Sequence, residues 1–164
     1  MSRVTELLNQ ITTWAQQYNS EEWHKVDLAP GLTSEKIQSL CKGKPFALPT
    51  EIFELYHWRN GGGSGSLLPY ADGLYGEQEF YDLALGLGLG EEWERDYCPG
   101  THLLALFGVE DVYYWTLLPQ TRQELAPIYS SDEPDFATAS SHYPSLEAML
   151  DQQVAWIKTN WKID

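Results

Sequence analysis

The stretch LAPGLTSEKIQSLCKGKPFALPTEIFELYHWRNGGG, residues 28–63, decides the fold because it marks the starts and ends of two short helices. Thr33 has the side-chain oxygen that a helix N-cap needs. Pro49 suits the first position of the second helix, where its missing N–H costs nothing. Asn60 and Gly61 tolerate positive φ and are predicted to end that helix. The pattern therefore predicts two helices in succession.

Upstream of this stretch, residues 1–19 predict an amphipathic helix with Ser2 as its N-cap. Residues 19–31 are predicted to be a polar connection between this helix and the next. The apolar side chains of the first helix recur at helical spacing and form one stripe: Val4, Leu7, Leu8, Ile11, Trp14, Ala15 and Tyr18.

Downstream, glycine dominates two segments. Residues 61–66 are too rich in glycine to be rigid and are predicted to form a surface loop. Residues 77–87 predict a brief helix that is weakened toward its end by glycine, and residues 86–90 are predicted to be a turn. Neither segment has the spacing of a phosphate-binding loop, so we expect no nucleotide site.

The last part of the chain predicts strands followed by a helix. Residues 103–108 and 111–118 are rich in β-branched and aromatic types and predict a hairpin, and residues 126–130 predict a third strand. Ser145 is the expected N-cap of a final amphipathic helix. This order predicts a single α+β domain over residues 1–164, with helices packed on one face of a mainly antiparallel sheet.

Composition and charge limit the class of protein. A hydrophobic fraction of 43% indicates a packed core, and the 2 cysteines fit a reducing compartment. No window has the roughly 18 apolar residues that cross a bilayer, and the N-terminus makes a poor signal peptide, so we expect a cytoplasmic protein. The net charge of −14 repels nucleic acid and anionic lipid and attracts a basic protein partner.

No pattern of catalytic, cofactor-binding or metal-binding residues is found in the sequence. Cys41 and Cys98 lack the context of a catalytic thiol, and the 4 histidines are far apart. We therefore expect no enzyme activity. Carboxylates and tryptophans are abundant, so a carbohydrate-binding or hydrolytic module remains open as the alternative.

Two acidic clusters are the candidate partner-binding residues. Trp23 and Trp93 lie among charged residues in predicted connections, so both are expected to be exposed, as interface aromatics are. The simpler interpretation is that the acids are solvated loop residues. The first cluster surrounds Trp93 and contains Glu91, Glu92, Glu94 and Asp96, and the second contains Asp132, Glu133 and Asp135.

The stretch 28–63 resembles the opening of the SUKH superfamily, which includes the fungal Smi/Knr cell-wall assembly regulators. The similarity extends by pattern over residues 28–158. The hairpin turn at residues 108–111 departs from the family pattern, so the chain looks like a divergent member. The residues that carry the resemblance are Gly31 and Leu32, Leu48 and Pro49, and Asn60, Gly61 and Gly62.

The resemblance implies an α+β fold and no catalytic residues. Bacterial members of the superfamily look like immunity proteins that neutralise toxins, and fungal members look like regulatory scaffolds of cell-wall synthesis. The implied partner is therefore a toxin or a cell-wall synthesis component. A weak homodimer through the amphipathic first helix is a further alternative.

Overall fold

The computed structural model describes residues 1–18, 28–65, 67–68, 78–109, 111–132 and 141–161. Within these ranges the helices are α1 (Arg3–Tyr18), α2 (Ser34–Cys41), α3 (Thr50–Trp58), α4 (Leu83–Asp96) and α5 (Leu146–Trp161). The strands are β1 (Leu28–Pro30), β2 (Arg59–Gly65), β3 (Gln78–Phe80), β4 (Leu103–Val109), β5 (Val112–Leu117), β6 (Ile128–Ser131) and β7 (Ser141–Tyr143).

All seven strands form one antiparallel sheet in which each strand lies beside its neighbour in the chain, in the order β1 to β7. The predicted hairpin is confirmed, with Leu103 opposite Leu117 and Val109 opposite Val112. The α+β class predicted from the sequence is also confirmed. In the described ranges no helix is both long and apolar enough to cross a membrane.

The main core lies between the helices and one face of the sheet, which we call the inner face. Leu104 and Leu106 of β4, Tyr114 of β5 and Ile128 of β6 point into it. The opposite, outer face carries a smaller cluster that includes Trp93, Ala105 and Trp115. Because side chains alternate along a strand, β4 supplies both clusters and is buried throughout.

Three predicted N-caps are confirmed. The hydroxyl of Ser2 accepts the N–H of Thr5 at 3.2 Å, and that of Thr33 accepts the N–H of Lys36 at 3.2 Å. Ser145 accepts the N–H of Ala148 at 3.0 Å. Each cap satisfies a donor that the first turn of a helix leaves without a partner, which explains why these helices begin where they do.

Glu51 joins α3 to the start of α5. Its side chain is only 5% exposed. Oε2 accepts the N–H of Ala126 at 2.7 Å and that of Leu146 at 3.0 Å, and Oε1 accepts the N–H of Glu147 at 3.0 Å. A carboxylate at a helix N-terminus is favoured by the helix dipole. This carboxylate therefore fixes α5 against α3.

The prediction of a surface loop is wrong for residues 61–65, because residues 59–65 form β2, and residue 66 lies outside the described residues. Glycine is unfavourable in a strand, but β2 pairs with β1 on one side and β3 on the other. Gly61 has a φ of 82°, and a Cβ there would lie 2.6 Å from the nitrogen of Asp82. Close packing of the backbone, rather than flexibility, is the reason for glycine at this position.

The prediction of a helix over residues 77–87 is confirmed only for residues 83–87 and is wrong for 78–80, and the prediction of a turn over 86–90 is wrong; residue 77 lies outside the described residues. Residues 78–80 form β3, and α4 includes Gly86, Gly88 and Gly90. A Cβ on Gly86 would lie 2.3 Å from the carbonyl oxygen of Ala105, and one on Gly90 would lie 1.8 Å from that of Leu103. These glycines let α4 lie against the edge of β4 beyond the end of β3.

The sequence pattern also missed two short strands. β1 ends the segment predicted to be a polar connection, and β7 lies just before the final helix. Both have only three residues, too few to show an alternating pattern, and each lies at one side of the described sheet. The helix α3 ends at Trp58, two residues before the predicted Asn60–Gly61 stop, and Pro49 is its N-cap rather than its first residue.

Candidate functional site

Trp93 is buried, so the prediction that it is exposed is wrong. Its side chain is only 2% exposed and its ring meets that of Tyr113 edge to face, with the centroids 4.8 Å apart. The sequence placed Trp93 in a connection, but the extended helix α4 carries it onto the outer face of the sheet. Trp23, the other suspected tryptophan, lies outside the described residues.

The acids around Trp93 lie on α4, and most of them have a cationic or histidine partner. Glu91 forms an ion pair with Lys44, and Oε2 of Glu94 lies 3.1 Å from Nδ1 of His102. Asp96 pairs with the neighbouring Arg95 at 3.0 Å. Glu92 is exposed and has no ion pair within the described ranges. Local pairing therefore reduces the negative field of this cluster.

The second acidic cluster is only partly described. Asp132 is exposed directly after β6, whereas Glu133 and Asp135 lie outside the described residues. Asp132 follows Ser131, which pairs with Tyr113 of β5. One acid of this cluster is therefore placed next to the β5–β6 pair of the sheet.

Aromatic side chains cover the outer face of β5 and β6. Tyr113 and Trp115 alternate with inward-facing residues and lie opposite Ser131 and Tyr129. The rings of Trp115 and Tyr129 are stacked with their centroids 4.6 Å apart. Trp115 Nε1 donates to the hydroxyl of Ser131 at 3.1 Å. Because these contacts fix the rings, the surface is already formed in the isolated chain.

Tyr81 continues this surface onto the neighbouring strands. A Cβ on Gly108 would lie 2.1 Å from its hydroxyl, so the phenol lies directly over that glycine. Burial raises the pKa of Tyr81, and the nearby Glu79 and Tyr113 raise it further. The hydroxyl therefore stays protonated as a donor. Tyr81 and Trp115 are themselves buried, at 6% and 1% exposure, and the half-buried Tyr113 and Tyr129 pack against them. We call these four residues the aromatic face, of which Tyr113 and Tyr129 are the accessible members.

A groove of about 280 Å³ lies beside the aromatic face. We call it the glycine groove, because the backbone of β2 contributes part of its wall. Glu79 of β3 is exposed and forms no ion pair within the described part of the chain. Leu85, 44% exposed, supplies an apolar wall. The lining residues that matter here are Asn60, Gly61, Glu79, Tyr81, Asp82 and Leu85.

The start of α4, which borders the glycine groove, is already capped. Oδ1 of Asn60 accepts the N–H of Leu83 at 2.9 Å, and Oδ1 of Asp82 accepts the N–H of Leu85 at 2.8 Å. These backbone donors are therefore not available to an anionic ligand. With Glu79 and Asp82 as its acids, the groove favours a cation.

The thiols and histidines do not form a reactive cluster in the described residues. No group of three or more His, Cys, Asp or Glu side chains is placed there to hold a metal ion. Burial raises the pKa of both Cys41 and Cys98, which disfavours the thiolate that a nucleophile needs. Neither thiol is therefore activated as a nucleophile in the described structure.

The candidate binding residues that the sequence analysis missed are Glu79, Tyr81, Tyr113 and Tyr129. For Tyr113 the signal was the alternation along residues 112–117, which places Tyr113 and Trp115 on one face. Glu79 and Tyr81 were hidden by the mistaken helix over residues 77–87. The alternation of side chains along β5 shows which residues share a face of the sheet. Which of those residues are covered depends on how α4 packs on that face.

The residues that carry the resemblance to the SUKH superfamily set the fold. A Cβ on Gly31 would lie 1.9 Å from the carbonyl oxygen of His57. The N–H of Leu32 donates to the carbonyl of Tyr56 at 2.9 Å, and Leu48 is in the core. Asn60 caps α4. Membership of the superfamily stays a prediction. The chain matches no model of a known protein family and no curated protein.

Proposed function

We propose that this chain is a non-catalytic protein-binding domain, of the toxin-neutralising immunity type or the regulatory-scaffold type. It binds a basic protein partner through the aromatic face. The single observation that supports this is the pair of half-buried tyrosines, Tyr113 and Tyr129, on an outer sheet face bordered by carboxylates. Tyrosine is enriched where proteins meet because its ring is apolar and its hydroxyl forms hydrogen bonds.

The electrostatic field supports a basic partner. The net charge is −14, and Glu79, Asp111 and Asp132 are exposed on the strands and turns next to the aromatic face. Such a field accelerates the encounter with a cationic protein and slows it with an anionic one. Salt screens this attraction over about 10 Å at 0.1 M, so the association rate is expected to fall as salt is added.

The fixed geometry of the rings supports tight binding once the partner has docked. Tyr129 is held by its stack on Trp115, which is buried and is fixed in turn by its hydrogen bond to Ser131. Ordering a side chain at an interface costs about 0.5–1.5 kcal/mol, and rings that are already ordered avoid most of that cost.

The test begins with a partner recovered by cross-linking from the source cells and then purified. Tyr129→Ala and Tyr113→Ala are each expected to weaken its binding at least about tenfold, as truncation of an interface tyrosine does. Leu125→Ala removes an exposed apolar side chain outside the aromatic face and is the matched control. Equal dissociation constants for all three variants and the parent protein would contradict the proposal.

The two types of protein-binding domain differ in what happens to the partner. An immunity-type domain abolishes the activity of a toxin when the two are mixed in equal amounts. A scaffold leaves its partner active. Titrating the purified partner with the chain and measuring the partner's own activity separates the two types.

A carbohydrate-binding or hydrolytic function is the second candidate. The specific observation in its favour is that Glu79, Asp82 and Tyr81 line the same groove. The carboxylate of Asp82 is used to cap α4, which leaves Glu79 as the exposed acid. Calorimetric titration with neutral oligosaccharides tests this function, which predicts saturable heat that Glu79→Gln removes.

A further inference from the structure

We infer that the glycine groove binds the guanidinium group of an arginine that an extended segment of the basic partner presents. The inference rests on the proposed function and names the anchor residue of the partner. Three observations support it: the shape of the groove, its charge and its position next to the aromatic face.

The shape of the groove depends on glycine. At Gly61, a positive φ and a distance of 2.6 Å from the Cβ position to the nitrogen of Asp82 exclude any side chain. The volume of about 280 Å³ lies just below the range of about 300–1,000 Å³ for small-ligand pockets and suits one long side chain rather than a cofactor. The exposed Leu85 offers an apolar wall for the methylene stem of arginine.

The charge of the groove selects a cation. The N–H groups of Leu83 and Leu85 at the start of α4 are taken by Asn60 and Asp82, so an anion would meet acids without these two donors to compensate. Glu79 is exposed and has no ion pair with described residues, so its carboxylate can accept two parallel hydrogen bonds. A guanidinium has the planar fork that matches this geometry, whereas an ammonium is a point charge.

The groove is continuous with the aromatic face. Glu79 lies opposite Gly108 in the sheet, and Gly108 lies opposite Tyr113. Tyr81 lies over Gly108 and also lines the groove. An extended segment that crosses the tyrosines would therefore bring one side chain to Glu79.

The test uses the full chain labelled with ¹⁵N and two capped peptides, Ac-(Gly-Arg)₃-NH₂ and Ac-(Gly-Lys)₃-NH₂. Addition of the arginine peptide is expected to shift the amide resonances of Gly61, Gly62 and Leu85 in a saturable way. Glu79→Gln is expected to weaken this binding about tenfold, because a charge-assisted pair of hydrogen bonds is lost. The lysine peptide is expected to bind more weakly at the same salt concentration, because it lacks the fork.

Glu35→Gln is the matched control, because it removes the same charge from an exposed carboxylate of α2 that does not line the groove. It is expected to change the affinity less than about twofold, because a charge outside the groove acts on the peptide only through a field that salt screens. Equal effects of the two substitutions, or equal affinity for the two peptides, would overturn the inference. Unchanged melting temperatures show that both variants are folded.

The two proposals fail in different ways. If the protein partner binds and the tyrosine variants weaken it while Glu79→Gln does not, the arginine groove is wrong and the proposed function stands. If the arginine peptide binds the groove but Tyr113→Ala and Tyr129→Ala leave the protein partner's affinity unchanged, the aromatic-face function is wrong and the cation groove stands.

Discussion

Replacing Glu51 with alanine is expected to destabilise the protein by about 4 kcal/mol. The substitution removes the acceptor of three backbone N–H groups, those of Ala126, Leu146 and Glu147. Two of these hydrogen bonds are buried and the third is partly buried. Each buried donor that loses its acceptor costs about 1–3 kcal/mol, and water that reaches the partly buried one reduces the total.

Replacing Glu51 with glutamine separates the effect of the negative charge from the effect of the size and shape of the side chain. Glu51→Gln keeps one oxygen, which can still accept the two hydrogen bonds that Oε2 makes to Ala126 and Leu146. Its amide group then meets the N–H of Glu147, donor against donor. We expect a smaller loss of about 2 kcal/mol, which combines one lost hydrogen bond with the loss of charge at the helix N-terminus.

Urea unfolding followed by tryptophan fluorescence measures both changes. For a chain of this size, about 4 kcal/mol corresponds to a decrease of roughly 8–16 °C in melting temperature. Glu54→Ala is the control, because Glu54 lies on the same helix and is only half-buried. It is expected to cost less than about 0.5 kcal/mol. If Glu51→Ala fell within about 1 kcal/mol of Glu54→Ala, Glu51 would not join the two helices.

The remaining predictions concern glycines and thiols. Gly90→Ala is expected to destabilise the chain by at least about 2 kcal/mol because its Cβ would meet the carbonyl oxygen of Leu103 at 1.8 Å. Gly88 lies in the same helix with open space around it, so Gly88→Ala is expected to stabilise the chain by about 0.5–1 kcal/mol. Urea unfolding measures the change in the free energy of unfolding for both variants. Changes of the same sign would contradict the packing of α4 against β4. Burial raises the pKa of Cys41 and Cys98, so alkylation of both should be slow at pH 7 and accelerate as the pH rises through 9, with buried Cys98 the slower. Native-state reaction of Cys98 at the rate of free cysteine would refute its burial.

Local pattern predicted the elements whose stabilising contacts are close in sequence. The hairpin over β4 and β5 follows from strand-forming side chains on either side of a short turn, and α5 follows from its apolar stripe and Ser145. The caps at Ser2 and Thr33 are local in the same sense, since each oxygen accepts a hydrogen bond from three residues ahead.

The elements that were mispredicted depend on contacts between distant residues. Intrinsic propensity disfavours glycine in a helix, but Gly86 and Gly90 are required by the closeness of β4. Glu51 is separated by 75 residues from Ala126 and by 95 from Leu146, so its role is not visible in a local window. The burial of Trp93 follows from the length of α4, and the exposure of Glu79 follows from its place in β3. Both were missed because these two elements were mispredicted.

Hydrogen–deuterium exchange of the chain, alone and with its purified protein partner, tests binding through the aromatic face most directly. Binding there is expected to protect the amides of β5 and β6 and of the segment 78–85, while α1 and α5 exchange as in the isolated chain. Protection confined to α1 and α5, with β5 and β6 unchanged, would contradict the account.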